Sequence, residues 1–206
     1  EKIASYDVGA ERFFTDQLWG RVTWYQSWAS DYIGDRLLRE YIRVIRRVPT
    51  RFREFQIENI SKVHIHGLEV ELKWDPRKDL SLFGNYTYNV SKIAKDDTDP
   101  ALEGNYLPTD PLHKFHFGVW YKNPEIVNIL VQASYYITVY YDNENTFKNG
   151  GYFTMDASIS RRFGKHVELT LDLENIFNRK YPLFMSADSI TVVPGFLAMG
   201  KLTLHF

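Results

Sequence analysis

The run VELTLDLENIFNRKY at residues 167–181 decides the fold class, because its first eight residues alternate strictly in polarity. Every second residue from Val167 to Leu173 is apolar, and the intervening residues from Glu168 to Glu174 are polar or charged. Successive side chains of a β-strand point to opposite faces. The run therefore predicts a strand with one apolar wall and one charged wall, and the fold depends on what each wall contacts.

The same alternation recurs along the chain and predicts about nine strands. Most of these runs reach the 9–11 residues or so that a tilted membrane-spanning strand needs, whereas strands in soluble sheets average about 5–6 residues. In the third run the apolar phase changes at Gly67, which predicts a β-bulge there. The expected strands lie near residues 4–14, 18–33, 55–74, 80–92, 112–122, 128–142, 151–163, 167–178 and 196–206.

Short and long connections alternate between these runs. A sandwich has no reason to sort its loops by length, but an outer-membrane barrel has tight turns on one side and long loops on the other. The sequence therefore predicts an all-β fold, an antiparallel transmembrane β-barrel. The short connections are 14–17, 75–79, 122–125 and 164–166, and the long ones are about 34–54, 93–111, 143–150 and 179–195.

Composition narrows the function classes. The 206 residues are 44% hydrophobic and 16% aromatic, and the mean hydropathy of -0.36 excludes a bundle of transmembrane helices. The net charge of -1 gives no sign of a nucleic-acid partner, and the absence of cysteine removes disulfides and thiolate metal sites. The first residues lack the shape of a signal peptide.

No catalytic motif is readable, so we expect no enzyme and no catalytic residue. His64 and His66 have a spacing compatible with a metal site, but neither a carboxylate nor a cysteine completes a ligand set nearby. We therefore expect no metal or cofactor, and we interpret the two histidines as lumen-facing residues at the bulge.

Four segments in order resemble the C-terminal part of the β-barrel of TonB-dependent outer-membrane receptors. They are SYDVGAERFF, IENISKVHIHGLEVELKW, NYLPTDPLHKFHFGVWY and LENIFNRKY, and an aromatic Phe206 ends the chain. The resemblance implies that residues 1–206 are about nine C-terminal strands of a larger barrel of about 22 strands. The plug domain, the segment that contacts TonB and the earlier strands would lie outside this sequence.

The resemblance also implies a function, which is energised uptake of a scarce nutrient across the bacterial outer membrane, by default an iron chelate. The implied partners are outer-membrane lipid, the missing strands and plug, TonB acting through that plug, and an extracellular small molecule.

The arginines of residues 34–54 are the main ligand-binding candidates, because guanidinium forks suit carboxylate, phosphate and catecholate oxygens. They would capture an anionic chelate or bind lipopolysaccharide phosphates, and the alternative is a basic extended hairpin or short helix. Acidic residues of loop 93–111 would bind Ca²⁺ or be solvated. The ligand-binding candidates are Arg36, Arg39, Arg43, Arg46, Arg47, Tyr106 and Phe147.

The charged phase of the strands supplies candidates for the lumen wall that faces the plug, or simply a solvated polar face. Phe206 resembles a C-terminal signal for barrel assembly and is equally consistent with an interfacial aromatic. The wall candidates are Glu69, Glu71, Lys114, His116, Asp156, Glu168, Asp172 and Glu174.

Two other functions remain open at this point. A small self-contained barrel, acting as a passive pore or adhesin, needs an even strand count and therefore a tenth strand within residues 36–54. A soluble ligand-binding β-barrel would cover its apolar walls with protein and stay monomeric without detergent.

Overall fold

The computed structural model describes residues 1–185 and 190–206, except for the side chains of residues 35–37, 55, 60, 184 and 185. Within these residues the chain is almost entirely β-structure, with a single 3-10 turn at Pro100–Leu102. The strands are β1 Lys2–Phe13, β2 Leu18–Ile45, β3 Val48–Arg77, β4 Leu80–Asp96, β5 His113–Asn123, β6 Val127–Tyr140, β7 Lys148–Phe163, β8 Val167–Glu174, β9 Pro182–Met185, β10 Ile190–Val192 and β11 Leu197–Leu204.

Nine of the strands form one antiparallel sheet in chain order, from β1 to β8 and then β11, while β9 and β10 pair separately. This confirms the prediction of an antiparallel all-β fold. Among the described residues the sheet is open, because β1 pairs only with β2 and β11 only with β8. No helix in the described ranges has the length and apolarity to cross a membrane.

The strand register gathers the apolar phases onto one face of the sheet, the apolar face. One row of paired residues runs through Leu72, Gly84, Phe117, Ala133 and Met155 on successive strands from β3 to β7. The opposite side, the polar face, collects the charged phases. The alternation in the sequence is therefore a property of the whole sheet.

Protein does not cover the apolar face within the described part of the chain. Leu72 is 52% exposed, Phe117 51% and Leu202 60%, and strand contacts run between neighbours of the same sheet. A soluble barrel or sandwich would bury these side chains, since burial in protein is what stabilises such a fold. The soluble alternative is therefore disfavoured.

The prediction of a long loop at residues 34–54 is wrong, because these residues extend β2 and β3 as a hairpin that closes at Ile45 and Val48. The prediction of a tenth strand within 36–54 is wrong for the same reason. Paired residues beyond Trp28 lengthen the hairpin by roughly 50 Å. The alternative of a basic extended hairpin is the one that the structure has.

The predicted bulge at Gly67 is also wrong. Gly67 pairs with Tyr25 on β2 and Asn89 on β4 without a shift in register. The ring of Tyr25 lies across the glycine, and its hydroxyl donates a 2.6 Å hydrogen bond to Oδ1 of Asn89. A Cβ at residue 67 would overlap the backbone carbonyl of Tyr88 and lie 2.6 Å from Cζ of Tyr25, so glycine permits both close approaches.

Without a bulge, the two histidines of β3 lie on the apolar face and not on the predicted lumen side. His66 pairs with Val90 and His64 with Lys92 on β4, in the same phase as Leu68. The polarity of this phase therefore changes along β3 while the pairing stays regular from Trp74 to Val63.

Candidate functional site

The turn of the arginine hairpin, defined as residues 34–58 of β2 and β3, consists of Arg46 and Arg47. Their φ angles are 51° and 68°, the left-handed values that both central residues of a two-residue type I′ turn require. Asparagine and glycine adopt these angles easily, whereas arginine does so at a cost of about 1–2 kcal/mol per residue. The strained turn projects two cations from the hairpin tip.

Ion pairs across the two strands neutralise part of this charge. Arg39 donates two hydrogen bonds from Nη2 to Glu54, at 2.8 and 2.9 Å. Tyr41 Oη donates a third at 3.1 Å, and Arg53 Nε donates to Glu40 at 2.8 Å. Arg39 and Tyr41 hold the pKa of Glu54 below its ordinary value, with the Arg39 hydrogen bond as the largest cause.

Three of the predicted arginines form no ion pair with a carboxylate among the described residues. Arg43 lies 5.0 Å from the centre of the Tyr41 ring, and Arg46 and Arg47 are exposed at the tip. The side chain of Arg36 lies outside the described residues. Among the described side chains, the hairpin arginines outside any ion pair therefore lie toward the tip, beyond the paired Arg39.

Tyr106 belongs to a second cluster, built from the connections that follow β4 and β6. Its ring stacks on Tyr140 at 5.3 Å and 9°, and the Lys92 ammonium lies 4.8 Å from its centre. Asn145 accepts from the Tyr106 N–H at 2.7 Å and donates to its carbonyl at 2.8 Å. This bidentate contact holds the two loops together.

Phe147 is anchored by its backbone in the same cluster. Its N–H donates to Oδ1 of Asp142 at 2.8 Å, and its carbonyl accepts from the Tyr141 N–H at 2.9 Å. No contact joins Tyr106 or Phe147 to the arginine hairpin in the parts of the chain that are described. The predicted ligand residues thus form two groups.

A row of tyrosines that the sequence-based prediction did not include lies at the same edge of the sheet as the second cluster. Tyr136 and Tyr152 pair across β6 and β7 with ring centres 4.9 Å apart, and Tyr181 stacks on Tyr152 at 3.8 Å. A signal was present, because Tyr136 and Tyr152 fall in the polar phase of their runs. An aromatic side chain in that phase lies on the polar face of the sheet.

The register places all the wall candidates on the polar face. Several of them are held by neighbours: Arg21 bonds Glu71 at 2.5 Å, and His116 Nδ1 lies 3.0 Å from Ser134 Oγ. These positions follow from strand phase, and a plug-facing role remains a prediction. The face carries Glu69, Glu71, Lys114, His116, Asp156, Glu168, Asp172 and Glu174.

A cleft of about 520 Å³ lies on the polar face beneath the connection that follows β8, and Asp156, Asp172 and Glu174 line it. Asp156 Oδ1 accepts from the Asn175 N–H at 2.8 Å. Asp172 Oδ1 accepts from Ser158 Oγ at 2.5 Å. The described residues contain no group of three or more potential metal ligands.

Phe206 lies two residues beyond Leu204, the last residue of β11, and its side chain is fully exposed. It lies at the edge of the sheet that carries the short turns. The reason is that β11 runs in the same direction as the strands that lead into those turns. The role of assembly signal remains a prediction.

Solved structures of receptors share this fold. The ferric yersiniabactin uptake receptor FyuA from Yersinia pestis matches 98% of this chain with a TM-score of 0.71 at 18% identity, over 30% of its own length. The ferric preacinetobactin receptor BauA from Acinetobacter baumannii matches 98% with a TM-score of 0.70 at 14% identity, over 29% of its length.

A curated relative is the probable TonB-dependent siderophore receptor PiuA of Acinetobacter baumannii. It is 25% identical over 132 residues, which are 60% of this chain and 18% of the relative. The chain thus spans less than a third of the length of these proteins.

The family model described as TonB dependent receptor-like, beta-barrel matches residues 1–176. Receptors of this family are not enzymes, which confirms the expected non-enzymatic class. This match covers most of the chain, and the chain belongs to the family of TonB-dependent receptors, within their β-barrel.

Proposed function

We propose that residues 1–206 are the C-terminal portion of the barrel of an outer-membrane receptor that imports an iron chelate. The observation that carries the proposal is the uncovered apolar face of the sheet, with Leu72, Phe117 and Leu202 half exposed or more. Acyl chains would solvate that face, while the polar face lines the lumen.

The open edges of β1 and β11 support a larger barrel. Hydrocarbon leaves no partner for the free N–H and C=O groups of an edge strand. Preceding strands of the same protein would complete the barrel, and a plug within it would contact Asp156, Asp172 and Glu174. TonB would then act through the plug.

The two ligand-binding groups suit an anionic iron chelate. Arg43, Arg46 and Arg47 offer guanidinium groups outside the ion pairs found among the described residues. Such groups form strong charge-assisted hydrogen bonds with oxygen anions. Tyr106 and Phe147 would contact the chelate's aromatic or apolar parts. The relatives' names support iron chelates as the cargo class.

The test is uptake of radiolabelled ferric catecholate, hydroxamate and citrate complexes by the bacterium that encodes the complete protein. Deletion of the gene would abolish uptake of one class, the gene would restore it, and removal of TonB would abolish it again. Uptake of none of these complexes, or uptake that persists without TonB, would contradict the proposal.

A double variant tests the hairpin tip without disturbing its turn. Arg46→Asn with Arg47→Gly suits the positive φ angles and removes both tip cations. The chelate concentration that gives half-maximal uptake would rise at least about tenfold, which corresponds to the loss of one charge-assisted hydrogen bond. Arg77→Gln, at the opposite edge of the sheet, is the matched control and would leave it unchanged.

A further inference from the structure

The chemistry of the apolar face changes at one level of the first four strands. Every second residue of β3 belongs to this face. From Trp74 to Leu68 these residues are apolar, and the next three are His66, His64 and Lys62. We call the basic residues beyond this change the outer collar. It consists of Lys2, Lys62, His64, His66 and Lys92.

Cross-strand pairing brings the collar together. His64 pairs with Lys92 on β4 and with Trp28 on β2, and Trp28 pairs with Ala4, two residues from Lys2 on β1. Lys2, Lys62 and Trp28 also line a cleft of about 430 Å³. Basic residues of β1, β3 and β4 thus form one patch around Trp28 of β2.

Aromatic side chains mark the boundary between the apolar residues and the collar. Trp28 stacks on His64 at 5.5 Å and 7°, and Tyr6 lies 5.5 Å from Trp28. Both aromatics are nearly half exposed. Amphipathic rings concentrate at the level of lipid headgroups, so the collar lies where headgroup phosphates would be.

Internal contacts engage the lysines of the collar only weakly, whereas Nε2 of His64 lies 2.7 Å from Nε2 of Gln26. Lys2 lies 3.5 Å from Asp31, with its own side chain 83% exposed, and Lys92 lies over the Tyr106 ring. No carboxylate within the described chain forms an ion pair with Lys62 or Lys92. Nδ1 of His66 is buried without a hydrogen-bond partner among the described residues.

We propose that the outer collar binds the phosphate groups of lipid headgroups in the outer leaflet. The inference rests on the proposed orientation of the barrel in the membrane. Lysine ammonium groups and imidazole N–H groups are donors for phosphate oxygens, and the apolar residues next to the collar would contact the acyl chains of the same lipid.

The experiment uses the complete protein purified from outer membranes, with bisphosphorylated lipid A as the probe and native mass spectrometry as the readout. The double variant Lys2→Ser with Lys62→Ser would retain about fivefold less lipid A per lysine removed. Lys2→Arg with Lys62→Arg would retain it. Lys78→Ser with Lys165→Ser, in turns at the opposite edge, is the matched control and would bind like the wild type.

Two further measurements identify which part of the lipid the collar binds. Fully dephosphorylated lipid A would be retained no better by the wild type than by the double variant. Excess inorganic phosphate would not displace lipid A, because it lacks the acyl chains. Equal retention of both lipids, displacement by phosphate, or an unchanged double variant would overturn the proposal.

Uptake of the ferric complexes separates this inference from the proposed function. Normal uptake by a wild-type protein that retains no lipid A would refute the collar alone. Phosphate-dependent retention of lipid A by a protein that transports no iron would refute the proposed cargo alone.

Discussion

The two ends of the hairpin formed by β2 and β3 are held together by different forces. Toward Leu18 and Trp74 the strands pair with a regular register and one apolar face, as in Val22 opposite Val70. Toward the tip at Arg46 the register shifts three times, and arginine–glutamate pairs replace the apolar stripe. The first end suits lipid and the second suits water, so one pair of strands marks the boundary of the membrane.

The largest expected effect is at the lipid end. Val70→Arg would place a charge in the middle of the apolar face and destabilise the folded barrel in a bilayer by about 2–4 kcal/mol. Unfolding by urea in lipid vesicles, followed by tryptophan fluorescence, measures the free energy. Ile57→Arg, at a position 73% exposed on the arginine hairpin, is the control and would change stability by less than about 0.5 kcal/mol. Equal effects at both sites would remove the distinction between the two ends.

The second-largest effect on stability is expected at Gly67, between the apolar end of the hairpin and its charged tip. Gly67→Ala would force a Cβ against the Tyr25 ring and destabilise the barrel by about 1–3 kcal/mol, the usual cost of overpacking. Gly200→Ala is the control, because a Cβ there has no heavy atom within 4 Å.

A double variant checks the cause of that loss. Adding Tyr25→Ala would reduce the cost of Gly67→Ala but not remove it, because the Tyr88 carbonyl stays against the new Cβ. A double-mutant cycle measures the part of the loss that the Tyr25 ring contributes. A loss of the same size with and without the Tyr25 ring would mean that the Tyr88 carbonyl, and not the ring, requires the glycine.

The sequence predicted the lipid end well and the tip poorly, for a physical reason. Lipid on one side and water on the other impose a period of two, which can be read from residues such as Val167 to Leu173. Both faces of the tip meet water, so residues 34–54 carry no such period and were predicted to be a loop. The bulge at Gly67 was predicted from a phase change that occurs without a shift in register.

The candidate site shows the same limit. The charged phase of the strands placed the polar-face residues correctly, because strand phase is local. The pairing of Arg39 with Glu54 depends on the hairpin register, which the sequence pattern does not reveal. The same holds for the contact of Asn145 with Tyr106, between two loops 39 residues apart.

The smallest expected effect concerns the ion pairs of the tip. Arg39 holds the pKa of Glu54 below its ordinary value of 4.5, so ionised Glu54 stabilises the hairpin above about pH 4.5. That stabilisation is lost as the pH falls through the lowered pKa. A nitroxide label on Val44→Cys, in a chain without native cysteine, would report greater tip mobility below that pH.

Glu54→Gln separates this carboxylate from other groups that titrate. The variant would show the mobile spectrum already at pH 7, with little further change on acidification, because its neutral amide cannot form the ion pair with Arg39. The effect would be modest, since the pair is exposed and screened by salt. A variant that still gained mobility at low pH would show that other carboxylates, such as Glu40, hold the tip. Charge pairing would then be distributed along the hairpin, and the contrast with the lipid end would rest on the pairs as a set.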